Sequence, residues 1–367
     1  MDLLSKLLRK MRDLEASDLI LCPGTPPAFR VHGSLLPRSD EKIISSQQIE
    51  AMSQLIMLNE QAALFKIEHE INLAVSLPEL GRFRINVYLQ RREMSMAIRA
   101  IPKEIPDFQQ LRLPDELKEI VKQKNGLIII TGAAGSGKST SLATMINHRN
   151  KNEYGHIITI EEPMEYEITH DKSIVSQREL GTDTLSYEKA LVNVVRQSPD
   201  VLMIGEVRDR KTLEQVLEFS ETGHLCITTL HAKNTTQTFE RIQNMFLDHE
   251  REQVMNTLAS SFRAILSQRL IPDTEGKQVL AYELLLPTPR TVDLIRRGEF
   301  WELRDNLEKN NETGMQSMDQ TLYELYREGR ISLDTAIQNA TSENNLRLKI
   351  KLEKSHQSER QTDSLIS

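Results

Sequence analysis

Cysteine is nearly absent: Cys22 and Cys226 are the only two in 367 residues. That is too few for a disulfide framework and suits a reducing compartment. Long apolar runs are missing too. None approaches the ~18 residues that a membrane-spanning helix needs. No excess of basic charge exists either, since 46 Lys and Arg against 53 Asp and Glu leave a net charge of −7. Aromatic residues make up only 5%. A large nucleic-acid footprint needs basic surface and stacking rings, so no nucleic-acid partner is expected. The N-terminus has no signal-peptide pattern, because Lys6, Arg9, Lys10 and Arg12 interrupt its leucines. Leu3, Leu4, Leu7, Leu8, Met11 and Leu14 instead form one helical stripe, as expected for a helix packed on its own domain.

What is present reads as a globular protein of two or three domains, 39% hydrophobic and 27% charged. Residues 1–101 carry α+β patterning. A helix is expected at about 2–15, strands at 18–22 and 28–32, helices near 46–67, a hairpin from 71–75 and 83–89, and a strand at 94–100. Pro102, Pro106 and Pro114 punctuate a linker at 102–116. From 117 to 352 helices alternate with apolar strands at 127–131, 156–160, 201–205 and 225–229. This predicts an α/β domain with a largely parallel sheet. Its part from about 290 to 352 reads as helical and charged, and 353–367 as a disordered tail.

The stretch Gly132, Ala133, Ala134, Gly135, Ser136, Gly137, Lys138, Ser139, Thr140 fits G-x-x-x-x-G-K-[ST]. Glycines let backbone N–H groups converge on a β-phosphate without a Cβ in the way. Lys138 reaches the β- and γ-phosphates and the Ser139 hydroxyl ligates Mg²⁺. The apolar run before it and the helical spacing of Leu142, Ala143 and Ile146 after it give the required strand, loop and helix. The expected cofactors are therefore ATP and Mg²⁺.

Some 65 residues on, Pro199 to Glu206 is an apolar strand ending in an acid, the form that holds Mg²⁺ or its water shell. Between the two lie Glu161, Glu162 and Glu165 around Pro163. One of these carboxylates can polarise the water that attacks the γ-phosphate, and spacing does not say which. His224 and His231 flank a further apolar strand. A zinc site of His224, Cys226 and His231 lacks an evident fourth ligand. A histidine near phosphate can instead donate a hydrogen bond or, when charged, stabilise transferring charge.

The segments TIEEPMEY, RQSPDVLMIGEVRD and TGHLCITTLHAKNTTQTFERI resemble the Asp box, Walker B and His box of secretion-superfamily ATPases. Within these the chain is similar to the type IV pilus retraction motors of the PilT/PilU family, over about residues 5–350. The stretches 314–322 and 345–352 favour the PilU branch. The resemblance implies a PAS-like N-terminal domain before a RecA-like ATPase domain, in a homo-hexamer. It implies that Glu165 is the catalytic base, that Glu206 is the Walker B acid, and that His224 and His231 are the His-box histidines. It also implies that Arg84, Arg99 and Arg92 are arginines directed at a neighbour's ATP. The implied work is pilus retraction at the cytoplasmic face of the inner membrane, with a PilC-like platform protein and a PilT-type ATPase as partners.

Three departures matter. Glu162 replaces the usual Asp, and Ala133 and Ala134 replace the usual Pro-Thr of the loop. Residues 291–299 keep only the second half of an A-I-R-N-L-I-R-E motif linked to retraction, which points to dependence on a PilT-type ring. Pilus extension and type II secretion ATPases are the alternatives in the same class, but they usually carry a longer N-terminus and a four-cysteine zinc module. A nucleic-acid translocase or a non-hydrolysing nucleotide-binding regulator is a more distant alternative.

Overall fold

The computed structural model describes residues 2–352, except 32–33, 38–41, 78–79, 103 and 310–313. The expected tail at 353–367 and part of the hairpin turn near 78–81 lie outside the described residues. The chain divides into two units. The first is Met1–Glu104 with Glu165–Glu167, and the second is Ile105–Met164 with Ile168 onward.

In the first unit the strands are β1 (Asp18–Leu21), β2 (Ala28–Val31), β3 (Ser34–Pro37), β4 (Glu70–Leu77), β5 (Gly81–Gln90) and β6 (Glu93–Ile101). They form one antiparallel sheet in the order β3-β2-β1-β6-β5-β4. The helix Asp2–Asp13 buries Leu4, Leu7, Leu8 and Met11 in the same core as Leu19, Phe29, Phe83, Ile85 and Val87. Its leucine stripe is thus consumed inside its own domain, as the spacing predicts. Strand β3 is not legible in the sequence. It is short, its Leu35 and Leu36 are exposed, and its order comes from pairing with β2.

The second unit is built on β7 (Gly126–Thr131), β8 (Gly155–Glu161), β9 (Ser173–Glu179), β10 (Val201–Ile204), β11 (Leu225–Leu230), β12 (Phe262–Pro272) and β13 (Gln278–Leu285). The sheet order is β13-β12-β7-β11-β10-β8-β9, parallel except for β13. Successive residues of a strand face opposite sides. Leu127, Ile129, Ile158, Ile160, Leu202 and Ile204 accordingly enter one core. Ile128, Ile130, Ile157, Val201 and Met203 enter the other. A sheet covered on both faces needs apolar residues at every position, so these strands read as continuous apolar runs.

The proline-punctuated segment expected as a linker packs into this unit from Ile105 onward. Short helices at Phe108–Leu111 and Glu116–Ile120 bury Phe108 and Leu117, Leu113 between them is buried in the same core, and the Thr144 hydroxyl donates to the Pro106 carbonyl at 2.8 Å. Among the described residues after 288, helices lie at Pro289–Arg297, Leu303–Lys309, Met318–Arg327 and Leu333–Asn339. Met318, Leu322 and Ala336 enter the same core as Ile271 and Val279 of β12 and β13.

Candidate functional site

Strand β7 ends at Thr131 and the next helix, Lys138–Asn152, begins seven residues later, after a glycine-rich loop. Gly135 and Gly137 take φ of 76° and 84°, the left-handed region that glycine enters without strain. At Gly132 a Cβ would lie 2.4 Å from Ser136 Oγ and 2.5 Å from the Gln268 carbonyl, so no larger residue fits. Lys138 Nζ donates to the Gly132 and Ala133 carbonyls at 3.0 and 2.9 Å, which curls the ammonium over the loop. The N–H groups at the start of the helix and this ammonium together make an anion cradle.

Sheet order sets what stands beside the cradle. Moving from β7, the next strand is β11, then β10, then β8. Their C-terminal ends deliver His231, Glu206 and the pair Glu161, Glu162. Glu206 is mostly buried. Its Oε1 lies 3.1 Å from His231 Nε2 and its Oε2 accepts from Arg208 Nε at 2.9 Å. The same guanidinium donates through Nη1 to Glu162 Oε2 at 2.9 Å. Arg208 thus ties two carboxylates from different strand ends. Its pKa is raised, first by the hydrogen bond to Glu206, so it stays charged. Tyr187 stands close by, and burial, then the Glu162 charge, pushes its phenol pKa up. Arg208 lies within the Walker B segment but was not singled out by spacing.

Glu161 is occupied structurally. It is buried and accepts from Thr159 Oγ1 at 2.7 Å and Gln177 Nε2 at 3.1 Å. Glu165 falls with the first unit, so the geometry of the second unit assigns it no distance to the cradle. His224 does not join this cluster. It precedes β11, whereas His231 follows it, and six strand residues at ~3.3 Å each separate the two edges. Its ring instead packs edge-on against Phe219 at 5.3 Å. Among the described residues no group of three or more His, Cys, Asp or Glu could hold a metal, and Cys226 is buried in the sheet. The oxygen donors Ser139 and Glu206 suit a hard cation such as Mg²⁺, which takes few protein ligands and several phosphate or water oxygens.

In the first unit Arg84 and Arg99 stand directly opposite each other on β5 and β6, and Asp18 of β1 is opposite Arg99. Like charges so placed repel. Asp18 offsets this by accepting from Arg99 Nε at 2.8 Å, with Arg30 Nε at 3.4 Å on its other oxygen. Arg92 lies in the β5–β6 turn, where Arg91 and Arg92 hold φ of 52° and 68°.

The segment after His231 is fixed by four distant side chains. Ala232 N–H donates to Thr131 Oγ1 at 3.0 Å, Ser267 Oγ donates to the Lys233 carbonyl at 3.2 Å, and Arg241 donates to the His231 carbonyl at 3.0 Å. Glu283 accepts from the Thr235 N–H and hydroxyl at 2.9 and 2.6 Å. Burial raises the Glu283 pKa, and the Thr235 bonds only partly oppose it. The folded state therefore favours the protonated carboxyl. Its contribution is fully present below the ordinary carboxylate range and is lost as pH rises through the raised folded value. Glu283→Gln keeps a carbonyl acceptor and removes the charge. At pH 7 its Tm should exceed that of the unaltered protein, by about 2–4 °C for each kcal/mol gained. The gap should narrow as the pH is lowered toward 5. Thermal unfolding at both pH values checks this, and a lower Tm for the variant at pH 7 contradicts it.

A parallel sheet with a glycine loop leading into a helix, beside an acid-tipped strand, defines the class: a P-loop nucleoside-triphosphatase. The chain belongs to the family described as Type II/IV secretion system protein, which matches residues 4–363, and within it to the PilT/PilU group of ATPases. It is 46% identical over 349 residues to the type IV pilus ATPase PilU of Pseudomonas aeruginosa, covering 95% of this chain and 91% of that one. It is 34% identical over 325 residues to the type IV pilus retraction ATPase PilT of the same organism, covering 89% and 94%. Among solved structures, the pilus retraction motor PilT with bound ADP superposes with a TM-score of 0.87 at 38% identity, covering 93% of this chain and 98% of that one.

Proposed function

We propose that the chain is the ATP-hydrolysing subunit of a hexameric motor that retracts type IV pili, of the PilU kind and dependent on a PilT-type ring. The observation that carries this is the convergence of Lys138, Glu206 and His231 on adjacent strand ends, in a chain similar to PilU over nearly its whole length. In this reading residues 132–140 hold the ATP phosphates. Lys138 offsets their charge, and Ser139 and Glu206 would hold Mg²⁺, which neutralises phosphate charge when bound. Glu165 takes a proton from the attacking water. Arg208 and His231 orient Glu206. Arg84, Arg99 and Arg92 serve an ATP held by the neighbouring subunit. His224, at the far edge of the sheet, has no part in the chemistry of its own subunit.

Domain motion in the ring would draw pilins out at the cytoplasmic face of the inner membrane, through a PilC-like platform protein. Among the described residues no helix is long and apolar enough to cross a membrane, so attachment would run through that partner. Dependence on PilT rests on the half-preserved motif at 291–299. A motor can hydrolyse ATP with its site intact yet transmit no force when its docking surface is incomplete. Retraction should therefore persist in cells carrying a catalytically dead PilT. It should stop when Lys138→Ala is introduced here, and stop when PilT is deleted. Full retraction in the complete absence of PilT would make this a stand-alone motor.

A further inference from the structure

The glycines that let the phosphate loop form also leave it loose. Gly135 and Gly137 flank Ser136 at φ of 76° and 84°. With no Cβ on Gly135 or Gly137, the Ser136–Gly137 peptide plane meets less steric resistance to turning over than it would between larger residues. Within the loop Ser136 N–H donates to the Ala133 carbonyl at 3.3 Å. The contact on the Ser136 carbonyl comes from 132 residues away. Gln268, in β12 one residue past its last pairing with β7 and almost fully buried, donates from Nε2 to the Ser136 carbonyl at 2.7 Å. Its own backbone carbonyl is one of the two atoms that require glycine at 132.

We infer that Gln268 is a positioning residue for nucleotide binding, a clamp that sets the direction of the Gly137 N–H. The reason is peptide geometry. In a planar trans peptide the C=O and the following N–H point in opposite directions. Pinning the Ser136 carbonyl toward β12 turns the Gly137 N–H away from β12, to the opposite side of the loop. An N–H held in place before the ligand arrives adds affinity that a freely turning one loses to ordering. Two buried polar atoms here have no hydrogen-bond partner, Gln268 Oε1 and Ser136 Oγ. Folding alone disfavours such groups.

The inference rests on the loop being the nucleotide site, so the experiment separates the two. ADP binding, ATP turnover and nucleotide-free Tm are measured for the unaltered protein and for Gln268→Met, Gln268→Glu and Lys138→Ala. Gln268→Met keeps length and shape without the donor. It should weaken ADP about tenfold and raise KM for ATP to match, with kcat changed far less and Tm nearly unchanged. Gln268→Glu should be worse, because it sets an acceptor against the Ser136 carbonyl and a negative charge near the phosphates. Hydrogen exchange across residues 132–140 gives a second reading independent of activity. Faster exchange confined to this loop in Gln268→Met supports the clamp. If the unaltered protein binds no ADP, the nucleotide site itself is wrong. If it binds, Lys138→Ala does not, and Gln268→Met matches the unaltered protein within about twofold in affinity with unchanged loop exchange, the clamp alone is overturned.

Discussion

Lys138→Ala is expected to remove ATP hydrolysis, with turnover falling at least ~100-fold. Lys138 is the only side-chain cation in the 132–140 loop, and its ammonium already lies across it on the Gly132 and Ala133 carbonyls. A charge-assisted hydrogen bond is worth about 1.5–3 kcal/mol, and the ammonium serves more than one phosphate oxygen. No neighbour substitutes for it. Arg208 is engaged by Glu206 and Glu162, and Arg241 by the His231 carbonyl. The fold should survive, because the hydrogen bonds removed are to the Gly132 and Ala133 carbonyls of the loop that the ammonium crosses. Phosphate release by the purified variant measures this, and turnover at the unaltered rate would refute the phosphate-cradle reading.

Glu165→Gln is the second large effect. ATP should still bind with nearly unchanged affinity, while hydrolysis falls by about 10²–10⁴. An amide keeps the shape of the side chain but cannot take the proton of the attacking water. The comparison set is built into the same stretch. Glu161 is occupied by Thr159 and Gln177, and Glu162 by Arg208. Glu161→Gln should therefore affect mainly the sheet edge, and Glu162→Gln the Arg208 bridge. Should either of these be the inactive enzyme while Glu165→Gln turns over normally, the base is misassigned.

The sequence alone determined whatever depends on near neighbours. The phosphate loop is legible because its shape follows from three glycines and a lysine within nine residues. The central strands are legible because burial on both faces leaves unbroken apolar runs such as Leu127–Ile130. The first helix is legible because one apolar stripe at helical spacing has to be covered.

Tertiary structure decided whatever depends on which strands become neighbours. The sequence pattern does not announce β3, β9, β12 and β13: β3 and β9 lie at sheet edges where exposure weakens the pattern, while β12 and β13 are largely buried and take their order from pairing with β7 and with each other. The roles of Gln268 and Glu283 were missed for a related reason. Their partners, Ser136 and Thr235, lie 132 and 48 residues away, and only strand order brings them together. The histidines divide the same way. Sequence placed His224 and His231 at the two ends of one strand, and the parallel sheet put only the C-terminal end beside the phosphate loop. In such a sheet every loop that leaves a strand's C-terminal end gathers at one edge, so chemistry collects there and a residue at the other edge is left out.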